Sequence, residues 1–154
     1  MKNEHSSKQI SQTDVEILKV LISYARLSSR QIAQRIGVST ATVITRIKAM
    51  EQEKIIKGYT AVLDQEKLGY ELTVISEITV SKGKLLEMEK EIARIPNVCG
   101  VYDVTGVTDA MVIAKFRNRA ELSNFTKTVL ALPFIERSNT HVVLTTVKED
   151  YRLL

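Results

Sequence analysis

At 154 residues the chain has room for one ordinary domain or two small ones, and with 44% hydrophobic and 26% charged residues it reads as globular, not disordered. No apolar run approaches a membrane span, and the opening MKNEHSSKQISQTD is polar without the apolar core of a secretory signal, so a cytoplasmic protein is expected. A single cysteine, Cys99, excludes an internal disulfide; its apolar surroundings predict a small buried packing residue, not a reactive thiol. The net charge of +4 is unevenly placed: residues 1–63 carry 10 Lys and Arg against 5 Asp and Glu, and residues 64–154 carry 12 against 13. A basic segment joined to a near-neutral one points to a polyanion-binding unit attached to something else.

In chain order, DVEILKVLISYAR places Ile17, Leu18, Leu21 and Ala25 at helical spacing, with Thr13 or Asp14 positioned to cap. In SSRQIAQRIG, Ser28 or Ser29 caps a second helix whose Ile32, Ala33 and Ile36 face inward, and Gly37 ends it in a left-handed conformation. Ser39 caps a third helix running to about Lys54, with Val43, Ile47 and Met50 in one stripe. IIKGYTAVLD is β-like, with Gly58 permitting a bend.

From there the pattern alternates. Strands are predicted at 71–80, 98–105, 109–117 and 135–149, and helices at 83–95, stopped before Pro96, and from Asn118 through Leu130. The order β-α-β-β-α-β is the ferredoxin-like arrangement, with both helices on one face of the sheet. That face takes Leu72, Val74, Ile78, Val112, Ala114 and Phe116. The opposite face takes Ile75, Val101, Met111 and Ile113 among Thr73, Glu77 and Asp103, which is too apolar to be left in water. A second copy covering it as a symmetric dimer is the reading preferred over scattered surface hydrophobes.

The stretch QIAQRIGVSTATVITRIKAM has the parts of a helix-turn-helix: small Ala33 where helices cross, Gly37 in the turn, and β-branched Val43 as anchor. Ala41, Thr42, Thr45 and Lys48 then point outward, flanked by Ile44 and Arg46. A slim, hydroxyl-bearing face suits the major groove, where hydroxyls meet bases or phosphates and methyls meet thymine. Ser39 and Thr40 offer helix N-terminal amides to a phosphate, and Arg30, Arg35, Arg46 and Lys48 supply backbone charge. The competing reading of the same spacing is a three-helix cluster with a solvated, mildly basic face.

Taken together, TDVEIL, AR-SSRQIAQRIGVS, TVITRIKAMEQEKIIKGYTAVLD, VTGVTD and VLTTVKE resemble, in order and over almost the whole chain, the Lrp/AsnC (leucine-responsive, feast/famine) regulators. The resemblance implies an α+β chain: a winged helix-turn-helix domain, a β linker, and a ferredoxin-like ligand-sensing domain that dimerises, with dimers assembling into tetramers or octamers. The boundaries are a tail at 1–12, the DNA-binding domain at 13–58, the linker at 59–69 and the sensing domain at 70–154. It also implies an amino-acid effector pocket at the turn holding Gly106 and Asp109. There, turn amides bind a carboxylate and an Asp carboxylate holds an ammonium. Thr105, Thr108, Ser138 and Thr140 add hydroxyls if the strand ends converge. Val107 and Thr108 stand where the family often has an acidic residue and an aromatic, which leaves the ligand open, and a Gly-Asp turn also serves simply to shape a hairpin.

His5 lies in the polar tail, and His141, among Thr and Val, reads as a structural or interface residue. No Cys/His set has metal-ligand spacing, and no phosphate-binding glycine loop or catalytic constellation is present, so neither an enzyme nor a cofactor is expected. The function predicted is a dimer-based, sequence-specific DNA-binding transcriptional regulator modulated by an amino-acid-like effector. The alternatives are a nucleoid-type architectural protein and a metabolite-binding regulatory module that does not bind DNA.

Overall fold

A computed structural model describes residues 10–154; His5 lies outside them. The chain forms two compact units, one ending at Val62 and including Asp150–Leu154, the other spanning Leu63–Glu149. The break falls inside the predicted linker, whereas the last five residues group with the first unit.

The first unit contains α1 (Gln12–Ser23), α2 (Ser29–Ile36) and α3 (Thr40–Gln52). The cap of α1 is Ser11, not Thr13 or Asp14: its hydroxyl accepts from Asp14 N–H while Asp14 reaches back to the Ser11 N–H. Ser28 and Gln31 form the same reciprocal pair at α2, and Ser39 caps α3 through Thr42 N–H at 3.0 Å. Gly37 ends α2 at φ 74°, where a Cβ would be penalised. Ile17, Val20, Ile32, Ala33, Val43 and Met50 make the core, with Leu18, Leu21, Ile36 and Ile47 packed around it. Ala25 lies past the end of α1 and is exposed.

Segment 55–64 forms no strand, contrary to the reading of its sequence. Its alternation suits a sheet, but among the described residues no strand pairs with it, and an isolated strand leaves its backbone groups to water. Tyr59 in this segment donates its hydroxyl to Glu51 of α3 at 2.8 Å. Burial, then that hydrogen bond and the nearby carboxylate charge, hold the phenol above its ordinary pKa.

The second unit contains β1 (Leu72–Val80), α4 (Leu85–Ile92), β2 (Val98–Asp103), β3 (Ala110–Phe116), α5 (Arg119–Leu130) and β4 (Ile135–Val142). The four strands form an antiparallel sheet in the order β2-β3-β1-β4, the ferredoxin-like topology. Val74, Ile78, Val112, Ala114 and Phe116 pack with Met88, Ile92, Phe125 and Val129 of the helices, and the Phe116 and Phe125 rings sit 5.2 Å apart.

Three sheet expectations fail, each for a local reason. Val98 faces Ala114 while Gly100 faces Ile113, so Cys99 is an extra residue in β2 and the side chains beyond it exchange faces. Val101 therefore pairs with Val112 and packs on the core, and Asp103 pairs with core-facing Ala110; both were expected on the open face. Tyr102 takes that face instead, its ring so close over Gly100 that a Cβ there would stand 2.7 Å from the ring. Cys99, at the bulge, is exposed and not buried. Finally, β4 stops at Val142, not at residue 149, because β1 runs out beside it; the last ladder bond is Val143 N–H to Thr73 O at 2.9 Å.

Candidate nucleic-acid interface and sensing turn

On α3 the inward stripe of Val43, Ile47 and Met50 leaves Thr40, Ala41, Thr42, Ile44, Thr45 and Lys48 exposed. No acidic residue occurs from Thr40 to Met50, so nothing on this stretch repels a phosphate backbone. The Ser39 hydroxyl caps Thr42 N–H and meets the Thr42 hydroxyl at 2.8 Å, which spends both on the helix start. The remaining first-turn amides, those of Thr40 and Ala41, belong to exposed residues at the positive end of the helix dipole. Arg30 is exposed on α2; Arg35, also exposed, stacks its guanidinium 4.4 Å from the Tyr24 ring centre.

Arg46 has a different position from the one expected of a free backbone cation. Its guanidinium turns back to the start of α1, pairing Nε with Asp14 Oδ1 at 2.9 Å and its terminal nitrogen with Asp14 Oδ2 at 2.9 Å, and donating to the Ser11 hydroxyl. The Asp14 side chain is only 10% exposed, so Arg46 neutralises a nearly buried carboxylate and braces α3 against α1. The brace was missed in the sequence, although Ser11-x-x-Asp14 has the spacing of a capping box.

In the second unit the turn between β2 and β3 runs over residues 104–109. Gly106 has φ 130°, reachable without strain only by glycine, and Val107 is 93% exposed at the tip. Thr105 is also exposed. Two predicted contact residues have structural partners: Thr108 donates its hydroxyl to Ile78 O at 2.7 Å, and Asp109 Oδ2 accepts from Val80 N–H at 2.8 Å. The Asp109 bond satisfies an amide where the β1–β4 register shifts between Thr79 and Val80. Ser138 and Thr140 do not converge on this turn. They lie on β4, across β1 from it, opposite core-facing Ile78 and Ser76, and the Thr140 hydroxyl meets buried Ser76 at 2.9 Å.

A helix-turn-helix whose third helix has an outward side that is exposed and acid-free from Thr40 to Met50, in a chain that continues into a ferredoxin-like domain, defines a two-domain DNA-binding regulator. A winged helix-turn-helix DNA-binding model matches residues 10–57, and the Lrp/AsnC ligand binding domain model matches residues 73–153. An HTH-type transcriptional regulator of Pyrococcus furiosus is 48% identical over 145 residues, covering 94% of this chain and 98% of the relative. One from Pyrococcus horikoshii is 31% identical over 144 residues, covering 94% and 95%. A solved transcriptional regulator of Neisseria meningitidis in complex with L-methionine matches at TM-score 0.87 and 25% identity, covering 95% of this chain and 97% of that one. AsnC of Escherichia coli shares the fold at TM-score 0.86 and 23% identity, covering 92% and 97%. The chain belongs to the Lrp/AsnC family: it is a transcriptional regulator with a helix-turn-helix DNA-binding domain and the family's ligand-binding domain. Among the described residues no helix is long and apolar enough to cross a membrane.

Proposed function

We propose that two copies of this chain bind a roughly palindromic duplex in the cytoplasm, each setting α3 into one of two successive major grooves about one helical turn apart. The observation that carries this reading is the outward side of α3 between Thr40 and Lys48: exposed, narrow, rich in hydroxyls and free of acids. Thr40, Ala41 and Thr45 face the bases, and Thr42, whose hydroxyl is held by Ser39, offers its methyl. Arg30, Arg35, Lys48 and the amides after Ser39 hold phosphates. Arg46 acts indirectly, by fixing α3 against α1.

Pairing of the two copies is supported by the open sheet face, where Ile75, Met111 and Ile113 are half-buried and Tyr102 lies over Gly100. Larger assemblies, tetramer or octamer, are part of the proposal and follow the family resemblance. An amino-acid effector binds at Thr105–Asp109. The amides of Gly106 and Val107 take its carboxylate, and the carboxylate lone pairs of Asp109 not used by Val80 take its ammonium. The L-methionine in the Neisseria regulator supports this class of ligand. Ser138 and Thr140 drop out of the site, because Thr140 is spent on Ser76 and both lie across β1.

The test is a footprint of the full-length protein on its own upstream DNA, with and without a panel of amino acids, combined with sedimentation. A regulator protects a defined site over random duplex by a ratio of ~10³ or more. Uniform protection at all sequences would make it an architectural protein. No affinity for duplex at low salt would leave only a ligand-binding module.

A further inference from the structure

Going beyond those assignments, we propose that Ile44 is a base-reading residue of α3 and that the group it recognises is the C5-methyl of thymine. The inference rests on α3 entering the major groove and deepens that reading by naming the chemistry one side chain selects.

Only part of the circumference of α3 is open. Val43 and Met50 are in the core and Ile47 packs against it. On the flank beyond Met50, Arg46 is tied to Ser11 and Asp14, and Ile10 and Ile55 border a small cavity of about 110 Å³ shared with Arg46 and Ala49. At about 100° per residue, the exposed arc runs from Thr40 through Ile44, Lys48, Ala41 and Thr45 to Thr42. Ile44 belongs to that arc, one turn from Thr40 on one side and one turn from Lys48 on the other. The residue is 40% exposed.

A lone exposed aliphatic on an ordinary surface needs no explanation. Here it is set among groups that share one ligand chemistry: hydroxyls at Thr40 and Thr45, an ammonium at Lys48, a methyl at Ala41. Ile44 is the largest apolar group in the arc, and thymine methyls are the apolar feature of the major groove. A β-branched side chain is stiff at χ1, so its methyls are presented with little rotamer freedom left to lose. Helix stability alone favours Lys, Glu or Leu at such a position.

The test uses the full-length protein. Selection from random duplexes defines the bound sequence, which is then remade with deoxyuridine in place of thymidine at each position in turn. For the unmodified protein, loss of a contacted methyl should weaken binding about fourfold, the value of burying one methylene-sized group. Ile44→Ala should bind thymine and uracil duplexes equally at those positions, and Ile44→Val should fall between. An Ile44→Ala protein as sensitive to the missing methyls as the parent, or a parent indifferent to every uracil, overturns the assignment while leaving the DNA reading standing. A parent that binds no duplex at all overturns the reading beneath it.

Discussion

Arg46→Ala separates a brace from a DNA contact. In the structure the substitution removes two 2.9 Å contacts to Asp14 and the bond to Ser11. Asp14 keeps the Ser11 N–H at 3.0 Å and the Ser11 hydroxyl at 2.7 Å, but it is left as a 10% exposed carboxylate without a counter-charge. Breaking a fully buried pair costs about 3–5 kcal/mol and an exposed one about 0–1. With the Arg46 side chain 40% exposed, the cost here falls between, about 2 kcal/mol. For a unit of this size that is a drop of roughly 10 °C in the melting of the helical half. The assay is thermal unfolding of the full-length variant, with amide exchange followed over Gln12–Ser23 to place the loss in α1. Arg46→Lys keeps the charge but not the two-pronged geometry, and should recover about half. Affinity for DNA, measured where the variant is folded, should keep the parent's salt dependence. Unchanged exchange over α1 together with a salt slope shallower by about one unit would refute the argument and make Arg46 a phosphate ligand.

Lys48→Ala should weaken binding to specific and random duplexes alike and reduce the salt slope by about one unit, as a titration at several salt concentrations will show. A loss confined to certain sequences would instead make Lys48 a base reader. Asp109→Asn keeps an oxygen acceptor for Val80 N–H, so thermal stability should stay within about 1 kcal/mol of the parent while calorimetric binding of amino acids is lost; Asp109→Ala should lose both, and amino-acid binding that survives in the Asn variant refutes the ammonium role. For Cys99, burial chiefly pushes the thiol pKa up; Lys115 opposes the shift and Glu149 adds to it. A raised pKa leaves less thiolate at neutral pH, so alkylation should be slow despite exposure, with its pH midpoint on the alkaline side of a free thiol. Glu149→Gln should move that midpoint down, because it removes a negative charge and frees Lys115 from its 2.6 Å pair; an unmoved midpoint excludes this cause.

Short-range signals in the sequence determined the helices, their Ser28, Gly37 and Ser39 boundaries, the inward stripe of α3, and the β-α-β-β-α-β order. Each is a pattern of period 3.6 or 2, or a cap whose partner lies within one turn. The slim outer face of α3 was legible for the same reason. What the tertiary structure alone decided depends on partners distant in sequence. Cys99 bulges against β3, and that single extra residue turned Val101 and Asp103 to the core side and Tyr102 outward. Arg46 found its counter-charge 32 residues away. Thr140 found Ser76 at a separation of 64, which ties its hydroxyl to β1. The strand predicted at 135–149 ended where β1 ended, and the β-like segment 55–64 found no strand to pair with among the described residues. Backbone and side-chain polar groups must be satisfied wherever folding puts them. The partners that satisfy them are set by how the chain packs, which a local pattern of residues does not specify.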